Sequence, residues 1–194
     1  MSRRTLLFAF IPLLAGCVPV TEPLGDASKS EPDKRLVGSW KKDDGSTYEI
    51  DVPAVAGNPK GLMRAIGNDK PDDPSNTFWF HLTTIGKHTF ATIYLHPTEM
   101  AKFADFRESG EFEKWMKNDN RRYFIFRYVL DGDSLTVDSG SDDVVKRLMA
   151  EEKFDMAGDY YKTPAGWLAK YLTKNGPEAI FDGSNAEKLT RVKK

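Results

Sequence analysis

Two short stretches constrain the fold most. Residues 77–85 and 89–96 both alternate along the chain, and only Gly86-Lys87-His88 separates them. In the first, Phe78, Phe80 and Leu82 share one face, and Trp79, His81 and Thr83 share the other. In the second, Phe90, Thr92 and Tyr94 point opposite to Thr89, Ala91, Ile93 and Leu95. A period of two is the signature of a strand, and a short Gly-containing connection between two such runs predicts a β-hairpin. Aromatic and β-branched residues facing each other across the pair support the sheet. The pattern recurs over residues 121–130, where Phe124, Phe126, Tyr128 and Leu130 face one way. Asp131-Gly132 then turns the chain into a strand carrying Leu135 and Val137.

Other segments fit around this antiparallel nucleus. Residues 47–52 alternate, with Tyr48, Ile50 and Val52 on one face, and residues 61–67 predict a further short strand. Residues 188–192 predict a closing strand. Helical spacing of three and four appears at Met100, Phe103 and Ala104. It appears again at Phe112, Trp115 and Met116, with Gly110 as the break between the two pieces. Ser141 is positioned to cap a helix over residues 142–152. Thr163 and Pro164 form the expected start of another, with Trp167, Leu168, Tyr171 and Leu172 as its stripe and Gly176-Pro177 as its stop. The count is about seven strands and four helical pieces. Two architectures fit this count: an antiparallel barrel with helical insertions, or an open antiparallel sheet packed on helices.

The N-terminus is a targeting segment. Arg3 and Arg4 precede an apolar run over residues 5–16, interrupted by Pro12. A spanning helix needs about 20 apolar residues, and this run is too short. Its end, Leu14-Ala15-Gly16-Cys17, resembles the lipobox of bacterial lipoproteins. That resemblance implies cleavage before Cys17, a diacylglycerol thioether on its sulphur and acylation of the new amino group. Two or more acyl chains hold a protein firmly at a membrane. Val18, where an Asp would resemble an inner-membrane retention signal, leans the expected address toward the outer membrane. Residues 2–7 also resemble the start of a twin-arginine signal, so two export routes stay open. The expected organisation is a signal over 1–16, a lipidated and flexible tether over 17–34 with Pro19, Pro23, Gly25 and Pro32, and one globular domain over 35–194.

Composition excludes several function classes. The chain has one cysteine, so no intramolecular disulfide is possible. It carries 28 Lys and Arg against 29 Asp and Glu. Without Arg3 and Arg4 the mature chain has 26 against 29, a net charge of −3. That mild, mixed balance offers no basic field for nucleic acid. No Gly-x-Ser-x-Gly elbow and no phosphate-cradling glycine loop occurs. His81, His88 and His96 lack metal-ligand spacing, and Asp131, Asp133 and Asp138 lack the ordered spacing of a calcium loop. Neither cofactor nor metal is expected, and no catalytic residue stands out.

Gly38-Ser39-Trp40 at the first strand, a β-rich middle and Arg191 near the end together resemble the lipocalin and wider calycin pattern. The resemblance implies that Trp40 closes the bottom of a barrel and that Arg191 packs across its ring, both in structural roles. The chain departs from that pattern at 98–117 and 141–152, where helices would be insertions into an eight-stranded barrel with one late helix. A barrel of this kind predicts a non-catalytic binding module for a small apolar or amphipathic ligand, lined by Phe78, Phe80, Phe124 and Phe126. Arg127 would anchor a ligand carboxylate or phosphate if its face were interior; if it were not, it would pair with an acidic residue on a covering helix or reach solvent. The alternative function is a solid-core lipoprotein that docks an envelope protein through the helical insertions, with Phe112 and Trp115 as the candidate surface.

Overall fold

The structure is a computed structural model that describes residues 20–68, 76–99, 102–157 and 160–193. The expected signal over 1–16 and the expected lipidation site Cys17 lie outside the described residues. The strands are β1 (Gly38–Lys42), β2 (Thr47–Asp51), β3 (Met63–Gly67), β4 (Thr77–Ile85), β5 (His88–Tyr94), β6 (Tyr123–Asp131), β7 (Ser134–Asp138), β8 (Met156–Ala157), β9 (Tyr160–Tyr161) and β10 (Ala186–Arg191). Eight of them close into an antiparallel barrel. β1 to β7 pair in sequence order, and β10 completes the ring between β7 and β1. Pairing of Trp40 with Arg191 and of Lys42 with Leu189 closes it. The barrel is therefore the lipocalin-like alternative, and the open sheet is excluded. β8 and β9 form a separate small hairpin.

The alternation read from the sequence becomes two cores on opposite sides of one sheet. Phe80, Leu82, Ile93, Phe124 and Phe126 point inward with Trp40, Ile50 and Leu189. Trp79, Phe90, Tyr94, Tyr123 and Ile125 point outward from β4, β5 and β6 into a second, equally buried cluster. Three helices cover that outer face: α1 (Glu111–Met116), α2 (Asp142–Glu151) and α3 (Trp167–Asn175). They contribute Phe112, Trp115, Val145, Leu148, Met149 and Leu172 to the cluster. Tyr94 lies at its centre, with ring edges against Phe106, Phe112, Trp115 and Tyr123 at centroid distances of 5.0–5.6 Å.

Several local expectations are corrected. The predicted helix around Met100, Phe103 and Ala104 does not form over its described residues. Phe103 instead bridges Leu95, and Ala104 N–H donates to the Tyr94 carbonyl at 3.0 Å, so the segment extends β5 outward. Thr163 does not cap α3. The helix begins at Trp167 after Gly166, which adopts φ 69°, while Thr163 N–H donates to the Thr21 hydroxyl at 3.1 Å. Ser141 occupies the N-cap position of α2 with extended backbone but makes no side-chain cap bond.

The largest departure is the expected tether. From residue 20 onward it is a strap laid over the barrel. Val20 exchanges backbone hydrogen bonds with Tyr123 at 3.0 and 2.9 Å, and Val20 and Leu24 are buried in the outer core. Ser30 Oγ accepts the Leu82 N–H at 3.0 Å, in the part of β4 that runs past the end of β3. An unpaired strand edge there would leave buried donors, and the strap satisfies one of them. A Cβ on Gly61 would collide with the Ser30 carbonyl, so only glycine lets the strap lie this close. Its prolines and polar residues hide the apolar contacts that pin it.

Candidate functional site

Strand directions give the barrel two different ends. One end carries the start of β1, the β4–β5 and β6–β7 hairpins and the 3-10 turn Lys34–Leu36. This end is closed. Trp40 is fully buried, and its indole Nε1–H donates to the Leu36 carbonyl at 2.7 Å. The Arg191 guanidinium lies 4.3 Å from the Trp40 ring centroid and donates to the Val37 carbonyl at 2.9 Å and to the Arg35 carbonyl. A cation over an indole face attracts it electrostatically. Tyr128 OH adds a bond to Asp33 Oδ2 at 3.1 Å, tying the interior to the strap.

Above this floor the barrel interior holds an apolar cavity of about 100 Å3. Phe78, Phe80, Phe124 and Phe126 all line it, brought together from β4 and β6 by the even spacing of each pair. Phe78 lies 6.2 Å from Phe80, and Phe124 lies 6.5 Å from Phe126, centroid to centroid. Ile50, Ala65, Ala91 and Ile93 also line it. The small side chains of Ala65 and Ala91 leave the space open.

The other end is the mouth. Phe103 stands there against Phe78 at 5.4 Å, a lining residue that the sequence reading assigned to a helix. The bridge to Leu95 is what carries it over the opening. Lys42 and Glu187 also line the cavity and pair at 2.7 Å, with Asp44 3.6 Å from the same ammonium. Burial works against the charged lysine, but the Glu187 carboxylate, with Asp44, outweighs it and raises the Lys42 pKa. Sequence reasoning missed this pair. Lys42 and Glu187 are far apart in the chain, and only barrel closure brings them together.

Arg127 is not at the cavity. It lies on the outward face of β6, where its guanidinium contacts Asp138 Oδ2 and Glu178 Oε1, each at 3.3 Å. Asp138 is almost fully buried and also accepts Gly140 N–H at 2.9 Å and Gly183 N–H at 3.0 Å. Arg127 thus helps join the covering segment to the sheet. Phe112 and Trp115 are likewise structural. Both are about 7% exposed, and Trp115 Nε1–H donates to the Leu95 carbonyl at 3.0 Å. They are buried against the barrel and present no docking face.

One buried polar cluster lies outside the cavity. His81 is fully buried on the outward face of β4, with Nδ1 2.7 Å from Tyr94 OH. Its Nε2 faces the Leu24-Gly25 backbone of the strap without a hydrogen bond of normal geometry. Burial pushes the imidazole down to about 4. Thr92 Oγ1 and Thr83 Oγ1 donate to the Leu24 carbonyl beside it, the former at 3.3 Å. Among the described residues no three His, Cys, Asp or Glu side chains converge as metal ligands, and no helix is long and apolar enough to cross a membrane.

No family model, curated protein or solved structure matches the chain.

Proposed function

We propose that the chain is an exported, lipid-anchored envelope protein whose barrel binds a small apolar or amphipathic ligand without catalysis. The observation that carries the reading is the apolar cavity lined by four phenylalanines, in a barrel whose far end is closed by Trp40 and Arg191. Its size limits the ligand. Pockets that enclose a drug-sized molecule measure roughly 300–1,000 Å3, whereas an apolar void of about 150 Å3 takes a benzene. A cavity of about 100 Å3 suits the end of an alkyl chain or one small ring. An amphiphile would place its tail among the phenylalanines and its polar head beside Lys42 and Glu187.

Native mass spectrometry of the chain, purified gently from its natural host, tests this. An adduct of fixed stoichiometry that is lost on denaturation supports a ligand, and its mass gives the class. Ala65→Ile fills the cavity and is expected to abolish the adduct while leaving the protein folded. An adduct that survives this substitution would place the ligand elsewhere and overturn the reading.

A further inference from the structure

The strap fixes where the anchor leaves the barrel. Val20 is the first described residue. It is held by antiparallel bonds to Tyr123 at the start of β6 and lies beside Tyr161 of the small hairpin. Tyr123 precedes Phe124, so this point is at the mouth end of the cavity. Cys17 is three residues earlier in the chain. Three residues span at most about 11 Å even when fully extended. β6 has nine residues, which at about 3.3 Å each place its far hairpin close to 30 Å away along the strand. A lipid on Cys17 therefore cannot tether the barrel loosely. It holds one end close to the bilayer and leaves the other beyond the reach of the anchor.

The surface beside Val20 fits that position. Residues 116–122 run from α1 to β6 and carry Lys117 and Arg121 against Asp119, while the Arg122 guanidinium lies over the Tyr160 ring at 4.1 Å. Met116 is 39% exposed, one of few large apolar side chains left in solvent among the described residues. Arg121 donates to the Met116 carbonyl, so the apolar and basic groups belong to one compact turn. Basic residues near an anionic membrane surface are attracted to it. Lys162 and Glu22 flank the same point with opposite charge and cancel.

We infer that the barrel docks mouth-first on the anionic lipid surface that holds its own anchor, through residues 116–122. The inference rests on the lipidation of Cys17. It also names the source of the ligand: an amphiphile from the bilayer, whose tail enters past Phe103 and Phe78 without crossing water.

The test uses the full chain, processed in a bacterial host and reconstituted into phosphatidylcholine–phosphatidylglycerol vesicles containing doxyl-labelled lipid. Asn120→Cys and Lys87→Cys, both at exposed positions, each introduce one free thiol for a fluorescent dye. Doxyl quenching of the dye at 120 is expected to be severalfold stronger than at 87. Replacing phosphatidylglycerol by phosphatidylcholine should weaken it. Equal quenching at the two positions, or stronger quenching at 87, overturns the docking while the chain still floats with the vesicles. A chain whose intact mass lacks the diacylglyceryl group and that does not float removes the anchor itself, and the inference with it.

Discussion

Alternate residues of β4, β5 and β6 enter two cores that are built differently. The outward residues Trp79, Tyr94, Tyr123 and Ile125 meet Phe106, Phe112 and Trp115 in a layer of edge-on aromatic contacts. A void in it, beside Ile125 and Ile180, is about 30 Å3, roughly the volume one water occupies. The inward residues Phe80, Phe124 and Phe126 surround about 100 Å3 of apolar space. The same strands supply both. Close packing is the default for protein interiors; the outer layer follows it, and the barrel interior keeps an opening.

Substitutions can break this contrast, and the largest effect is expected at Trp115. Trp115→Ala should cost about 3–5 kcal/mol in urea unfolding, because it removes a ring held on all sides and its bond to Leu95. Phe78→Ala, at the half-exposed mouth, should cost only about 1–2 kcal/mol. It should also tighten binding of a longer alkyl probe. Equal costs at the two positions would mean that the barrel interior is packed as firmly as the outer layer.

Acid sharpens the comparison from the strap side. The His81 imidazole takes a proton near pH 6.5 when unfolded but only near 4 when folded, chiefly because it is buried. Between these values the unfolded state holds more protons, so stability rises with pH across that window and is lost as pH falls through it. The full effect is on the order of 3 kcal/mol. His81→Gln should flatten the dependence of the urea midpoint between pH 4.5 and 6.5. Among the described residues no histidine lines the interior cavity, and hydrogen exchange should show the strap opening before the barrel. A slope unchanged by His81→Gln would assign the acid sensitivity to the carboxylates.

Adding volume separates the cores more gently. Ala104→Leu in the outer layer should destabilise by about 1–3 kcal/mol through overpacking. Ala65→Ile fills the interior cavity and should leave stability unchanged or raise it by about 1 kcal/mol. Thermal unfolding of the two variants decides the point. Arg191→Gln, at the floor, is expected to cost about 0.5–2 kcal/mol for the lost contact with Trp40.

The inward face was legible because Phe78, Phe80, Phe124 and Phe126 alternate cleanly with polar or differently facing neighbours. The barrel floor was legible through Gly38, Trp40 and Arg191. The covered outer face had a signal that alternation alone conceals. Trp79, Phe90, Tyr94, Tyr123 and Ile125 make both faces of β4–β6 apolar, which is what strands buried on both sides require. Reading that would have placed Phe112 and Trp115 in a core and left Arg127 outside the cavity. Phe103 misled because its helical spacing to Met100 competes with the backbone bonds that the Leu95 bridge supplies. The strap was illegible because Val20 and Leu24 have no period. Closure depends on what they touch, and neither propensity nor local spacing encodes that.

The central claim is that the interior, and not the outer core, takes the ligand. Methyl NMR with a short-chain alcohol such as octanol tests it directly. Ile50 and Ile93 face the cavity, and Ile125 and Ile180 lie in the outer core. Saturable shifts at Ile50 and Ile93, with Ile125 and Ile180 unmoved, are the predicted result. Shifts confined to Ile125 and Ile180, or no saturable shift at Ile50 and Ile93, would contradict the claim.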